Sequence, residues 1–102
     1  MPEEMVQTGQ LVRSAAGRDK GRFYLIYDVL DEAFVRVIDG DKKGLSNPKR
    51  KNRKHLEFLP QKAENVAKSL QRGESVRDEE VLAAVKTLGL SHKDFHIEQK
   101  GG

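Results

Sequence analysis

Cysteine is absent from this chain of 102 residues, and so are long apolar runs. Without cysteine there are no disulfide bridges and no thiolate zinc sites, a composition that suits a reducing compartment. No apolar run approaches the roughly 18 residues that a membrane span requires, and the N-terminus lacks the basic and apolar regions of a signal peptide. We therefore expect a soluble, cytoplasmic protein with no membrane association.

Motifs of catalysis and cofactor binding are missing too. The sequence has no serine, histidine and acid arrangement, no Walker loop and no dinucleotide fingerprint. The adjacent acids at 78–80 do not share a helix face, so they indicate favourable charge at a helix N-terminus. His92 and His96 are spaced for a metal site on a helix, but no third ligand accompanies them. We predict a protein that is not an enzyme and that needs neither metal nor cofactor.

Positive charge is concentrated in the first half of the chain. The formal net charge is +3, and residues 9–60 hold 12 Lys/Arg against 7 Asp/Glu, whereas residues 61–102 hold 7 of each. Residues 42–55 carry seven Lys/Arg and no acid. An uncompensated basic segment attracts polyanions, although most charge runs are simply solvated loops.

The first half also has the pattern of a small β structure. Strands are predicted at 10–14, 22–30, 34–38 and 54–59, because apolar and branched residues cluster or alternate there between turn residues. The strand at 22–30 is largely apolar on both faces, so a second element must cover one of them. A content of 36% hydrophobic residues is enough for one small core.

The apolar spacing becomes helix-like after Pro60. One apolar stripe ends near Gly73 and another near Gly89, where each glycine is placed as a helix C-cap. The first stripe is Ala63, Val66, Ala67 and Leu70, and the second is Val81, Leu82, Val85 and Leu88. A link of about four residues joins the helices, so they should pair as a helical hairpin. This hairpin is the available cover for the second face of the strand at 22–30.

Residues 9–29, GQLVRSAAGRDKGRFYLIYDV, combine a strand opened by glycine, a basic turn bounded by Gly17 and Gly21, and a second apolar strand. In this pattern the chain resembles the KOW family. It is most similar to the KOW-containing large-subunit ribosomal proteins of archaea and eukaryotes and to their small bacterial relatives. Residues 28–35 and 54–57 also resemble that family, so the likeness covers about half of the chain.

The resemblance implies a fold of the β plus α class, a five-stranded SH3-like (KOW) β-barrel, which the C-terminal α-helical hairpin follows here. The expected organisation is a flexible N-terminus at 1–8, the barrel at 9–59, the hairpin at 60–90 and a C-terminal tail at 91–102.

The resemblance further implies binding of structured RNA, in particular ribosomal RNA of the large subunit, through the turn and the nearby basic loop at 42–55. The residues agree, because glycines expose backbone N–H groups while guanidinium and ammonium groups donate to phosphate oxygens. The predicted RNA-binding residues are Arg13, Gly17, Arg18, Asp19, Lys20, Gly21, Arg22, Lys42, Lys43, Lys49, Arg50, Lys51, Arg53, Lys54 and His55. The alternative is a protein-interaction adaptor of the transcription or translation machinery. In either case the helices are candidates for contacts with ribosomal or other proteins.

The aromatic residues Phe23, Tyr24 and Tyr27 have two possible roles. Their rings could stack on unpaired bases, or they could fill the core and pack beneath the helices. Strand alternation places Phe23 and Tyr27 on one face and Tyr24 on the other. The apolar character of both faces favours core packing.

Overall fold

The computed structural model describes the backbone of residues 6–101 and the side chains of residues 6–91. Strands precede helices, as the change in apolar spacing predicted, but there are five strands where the spacing located four. The last strand continues to Lys62, past the predicted change at Pro60. The strands are β1 (Gln10–Ser14), β2 (Phe23–Val29), β3 (Phe34–Ile38), β4 (Lys49–Asn52) and β5 (Leu56–Lys62). The helices are α1 (Glu64–Gln71) and α2 (Asp78–Gly101).

The strands form one antiparallel sheet in the order β4-β3-β2-β1-β5. β1 pairs with β2, β2 with β3 and β3 with β4, and β5 returns to pair with β1. A single 3-10 turn, Arg53–His55, joins the two edge strands. The predicted β plus α class is confirmed, but closure into a barrel is not, because the pairing within residues 6–101 leaves β4 and β5 as open edges.

β4 lies inside the segment that composition presents as a basic loop. Arg50 pairs opposite Arg36 of β3, and Lys51 opposite Val35. The segment at 42–55 is therefore irregular only before Lys49, and the expectation of one continuous loop is wrong. Backbone pairing with β3 outweighs the low strand propensity of lysine, which is a weak local preference.

The sheet buries an apolar cluster on each face. On one face, Leu11, Leu25 and Ile38 pack against Val66 of α1 and Val81 of α2. The two helices thus cover this face, as the apolar character of the strand at 22–30 predicted. Each such fully buried side chain contributes about 1.5–3 kcal/mol to stability.

The other cluster takes no member from the helices among the described side chains. It consists of Val12, Tyr24, Ile26, Val35, Val37 and Leu56. The strands therefore bury this face against one another, which requires a strongly twisted sheet. Tyr24 lies in this cluster, and Phe23 and Tyr27 pack against the helix-side cluster, so core packing is confirmed for all three rings.

α2 continues through Gly89, where the sequence predicted its end. A Cβ at Gly89 would lie 3.0 Å from the ring of Phe23, so the missing side chain lets α2 approach β2. Gly73, in contrast, has a φ of +71° and follows the end of α1 as predicted. The predicted tail at 91–102 is corrected to helix as far as Gly101.

None of the helices within residues 6–101 is both long and apolar enough to cross a bilayer.

Candidate nucleic-acid interface

The turn between β1 and β2 owes its shape to two glycines. Gly17 and Gly21 have φ values of +85° and +91°, a region that residues with side chains rarely adopt. The N–H of Gly21 donates to the carbonyl of Ser14 at 2.7 Å, which folds the turn back onto β1. Arg18 and Lys20 are left exposed at its tip.

Asp19 points from the same turn into the protein. Its carboxylate accepts hydrogen bonds from the Ser14 hydroxyl at 2.8 Å, the Tyr24 hydroxyl at 2.6 Å and the Lys51 ammonium at 2.9 Å. Burial alone would raise the pKa of Asp19, but the hydrogen bonds from Tyr24, Lys51 and Ser14 hold it well below its usual range. Burial and the Asp19 carboxylate in turn raise the pKa of Tyr24, so its hydroxyl remains a donor.

Lys51 is the one basic residue of β4 that is buried, with a side chain 9% exposed. Its ammonium donates to Ser14 Oγ at 3.2 Å as well as to Asp19. Alternation along β4 turns it inward while Arg50 faces out. Asp19 and Lys51 therefore hold the turn in place, and their charges are committed to each other.

A second buried carboxylate holds the loop that follows β3. Asp39 Oδ1 accepts from the backbone N–H groups of Asp41 at 2.9 Å and Lys43 at 2.8 Å, while Oδ2 accepts from Arg22 Nε at 2.7 Å. Burial would raise the pKa of Asp39, but these donors hold it below its usual range. Arg22 thus ties the end of the turn to the loop.

The Asp19–Lys51 and Arg22–Asp39 contacts place the turn and the loop on either side of one groove, whose volume is about 510 Å³. We call it the basic groove. Its cationic lining residues are Arg18, Lys20, Arg22, Lys42, Lys43 and Lys49, and Asp19 is the only acid that lines it among the described side chains. Among the described residues, no ion pair involves Arg18, Lys20, Lys42 or Lys43. Two segments that the sequence could only place near each other are thus parts of one surface.

Lys49 has an intermediate position in this groove. Its ammonium lies 3.5 Å from Asp19 Oδ2 and its side chain is 37% exposed, so the contact is looser than the one that Lys51 makes. Screening by water makes such an exposed ion pair weak. Lys49 therefore remains available to a polyanion in the groove.

The remaining predicted residues lie outside the basic groove. Arg13 Nε donates to Glu57 at 2.9 Å, and an Arg53 amino group donates to the carbonyl of Asp31 at 2.8 Å. The Arg50 guanidinium lies 4.4 Å from the centroid of the Phe34 ring. Lys54 and His55 are exposed on the 3-10 turn that follows β4.

The first turns of α2 pack against the loop that follows β3. Asp78 Oδ1 accepts from the N–H of Leu45 at 2.7 Å. Gly40 has a φ of +77°, and a Cβ there would lie 2.3 Å from the carbonyl oxygen of Asp78 and 2.5 Å from the nitrogen of Leu82. The loop that carries Lys42 and Lys43 therefore packs directly on the helix backbone.

Sequence reasoning missed the residues that support the groove, namely Ser14, Tyr24 and Asp39. The signal for Asp39 is the run Asp-Gly-Asp, since an Asp side chain commonly accepts from the N–H two residues later. The signal for Tyr24 is its place in an apolar strand, because a buried tyrosine hydroxyl usually has a partner. For Ser14 we find no local signal.

Metal ligands are not grouped in the part of the chain whose side chains are described, where no set of three His, Asp or Glu residues could hold an ion. His92 and His96, the pair with helical spacing, lie outside those residues. Among the three histidines only His55 has a described side chain, and it is exposed.

Acidification should unfold the protein through its buried carboxylates. The pKa values of Asp19 and Asp39 are held below the ordinary value of 3.8, so their contribution is present above that value and is lost as the pH falls below it. Asp19→Asn should lower the free energy of unfolding near neutral pH. It should also reduce the further decrease in that free energy on acidification. Urea unfolding of parent and variant at pH about 7 and about 3 measures both effects. Equal losses in the two proteins would contradict the role given to Asp19.

Comparison with known proteins finds relatives along most of the chain. The large ribosomal subunit protein eL14 of Aeropyrum pernix is 36% identical over 97 residues, covering 93% of this chain and 86% of the relative. The eL14 of Staphylothermus marinus is 39% identical over 88 residues, with 84% and 82% covered. The eL14 of Hyperthermus butylicus is 37% identical over 102 residues, with 95% of each chain covered. No family model matches the chain.

Proposed function

The chain belongs to the eL14 family of large ribosomal subunit proteins, and on this basis we propose that it is a ribosome-associated protein whose basic groove clamps the backbone of structured ribosomal RNA. The relatives are named as ribosomal subunit proteins and not as enzymes, in agreement with the predicted absence of catalysis. A cytoplasmic location on the ribosome, and the SH3-like barrel form of the sheet, are parts of the same proposal.

The main support for this proposal is that residues of both the turn and the loop line the basic groove. Four of its cations have no ion-pair partner among the described residues. Four cations around one cavity repel one another unless anions bind between them. Successive phosphates of a folded RNA supply such anions at close spacing. Lysine and arginine contacts of this kind fix the position of the RNA without reading its bases.

Arg22 and Lys49 add to the clamp in a different way. Arg22 uses Nε for Asp39, and one amino group lies 3.6 Å from Asp41, so further N–H donors of the guanidinium remain. Because Asp39 orients it, Arg22 can present these donors to a phosphate with little loss of side-chain entropy. The clamp thus consists of four cations without an ion-pair partner among the described residues and two, Arg22 and Lys49, that a carboxylate contacts.

Removal of two tip cations tests the proposal. With four to six phosphate contacts, the slope of log affinity against log salt should be about −3 to −5. Arg18→Ala with Lys20→Ala should weaken binding to two unrelated RNA hairpins by a similar factor, roughly 10-fold, and flatten the slope by about 1 to 2. Filter binding at several salt concentrations measures both quantities.

The matched control removes the same charge from the helices. Lys68→Ala with Arg72→Ala changes two exposed residues outside the basic groove, so RNA affinity should stay close to that of the parent. The fold should tolerate both double substitutions, since exposed charges contribute little stability. An affinity independent of salt, or a tip variant that binds like the parent, would refute the phosphate clamp.

A further inference from the structure

A second groove, of about 550 Å³, lies between α1 and α2, far from the turn in sequence. We call it the helix groove. Small residues dominate its lining, so the backbone of a ligand can come close to both helices. The lining residues are Ala63, Glu64, Asn65, Val66, Ser69, Glu80, Ala83, Ala84, Thr87 and Leu88.

The charge of the helix groove is opposite to that of the basic groove. Its charged lining residues are Glu64 and Glu80, one in the first turn of each helix, and no Lys or Arg lines it within residues 6–91, whose side chains the structure describes. Both acids are exposed, and neither forms an ion pair with another described residue. The Glu80 carboxylate also accepts a hydrogen bond from the backbone N–H of Arg77 at 3.4 Å. Acids are favourable at helix N-termini in general, but that preference does not account for the apolar residues that line the same groove.

The charge of the helix groove limits which kind of molecule can bind there. A phosphate backbone would face two carboxylates and no cation among the described lining residues, so RNA is disfavoured here. An acidic peptide is disfavoured for the same reason. A peptide with lysine or arginine beside small apolar residues satisfies both the carboxylates and the floor.

We propose that the helix groove binds a basic segment of a neighbouring protein, with its apolar side chains on Ala83, Ala84 and Leu88 and its cations beside Glu64 and Glu80. The site goes beyond RNA binding by the basic groove and does not depend on it. The protein would then bridge two partners, with RNA on the turn side and a basic polypeptide between the helices.

Two synthetic peptides test the site. Both carry alanine and leucine at helical spacing, and the charged positions are all lysine in one and all glutamate in the other. In NMR titrations of the labelled full chain, the lysine peptide should shift the backbone amides of Ala83, Ala84 and Thr87, with an affinity of roughly 10 µM to 1 mM for so small an interface. The glutamate peptide should leave these amides unchanged.

Substitutions in the helix groove distinguish the contribution of its charge to peptide binding from that of its shape. Glu64→Gln with Glu80→Gln should weaken the lysine peptide about 3- to 10-fold, because each exposed ion pair contributes modestly. Ala83→Arg puts a long cation into the groove from an exposed helix position, and should reduce binding more than 10-fold without a change in melting temperature. Glu74→Gln with Glu79→Gln removes the same charge outside the groove and should have little effect.

Equal binding of the two peptides, no shift of the groove amides, or a shift caused by an RNA hairpin would overturn the proposal. Groove shifts that depend on the concentration of the protein alone would show a second copy as the occupant and overturn it as well. Because RNA binding is measured on the basic groove with other variants, failure here leaves the phosphate clamp intact.

Discussion

Lys51→Met is expected to destabilise the protein by about 2–4 kcal/mol, although it replaces one lysine among many with a side chain of similar length. The substitution leaves the Asp19 carboxylate without the ammonium that lies 2.9 Å from it. Removing one member of a buried ion pair strands the other in a poorly solvated position. Lys49, at 3.5 Å, and the Tyr24 hydroxyl keep the loss toward the lower end. For a domain of this size the melting temperature should fall by about 10–20 °C.

Two further variants identify the cause of that loss. Asp19→Asn in the Lys51→Met background removes the stranded charge, so the double variant should recover a large part of the stability. Lys49→Met removes an exposed cation from the same carboxylate and should cost less than about 1 kcal/mol. The pair does not anchor the turn if Lys51→Met has the same melting temperature as the parent. The same conclusion follows if the stability losses of Asp19→Asn and Lys51→Met simply add in the double variant.

The elements with a clear period could be predicted from the sequence alone. Alternation and apolar spacing predicted β1, β2, β3, part of β5 and both helices, because these patterns reflect which faces are buried. β4 was missed, because its residues Lys49–Asn52 are all polar and only pairing with β3 makes them a strand. The end of α2 was misplaced because Gly89 serves a contact with Phe23, which depends on tertiary packing.

The candidate site was predictable in composition and not in arrangement. The basic residues of the turn and of the segment at 42–55 stand out by charge, and several do line one groove. Which cations are free depends on pairing between distant segments. Lys51 reaches Asp19 across 32 residues, and Arg22 reaches Asp39 across 17, so neither contact leaves a local trace in the sequence.

Gly40→Ala is expected to loosen the loop of the basic groove and to lower stability by about 3 kcal/mol or more, from backbone strain and a steric clash together. The φ of +77° alone costs a residue with a side chain about 1–2 kcal/mol. The added Cβ would also lie 2.3 Å from the carbonyl oxygen of Asp78, and this neighbour is helix backbone that cannot move aside as a flexible side chain can. The loop must therefore move away from α2, which carries Lys42 and Lys43 out of position and should weaken RNA binding roughly 10-fold.

Gly73→Ala is the matched control, because Gly73 has a similar φ of +71° but open space where its Cβ would lie. It should cost only about 1–2 kcal/mol and leave RNA affinity unchanged, since it lies at the far end of α1. Thermal melts and RNA binding are measured on both variants at a temperature where each is folded. If the two substitutions cost the same, the strain at Gly40 comes from φ alone and the loop is not packed against the helix. If Gly40→Ala loses stability but keeps full RNA affinity, Lys42 and Lys43 do not belong to the clamp.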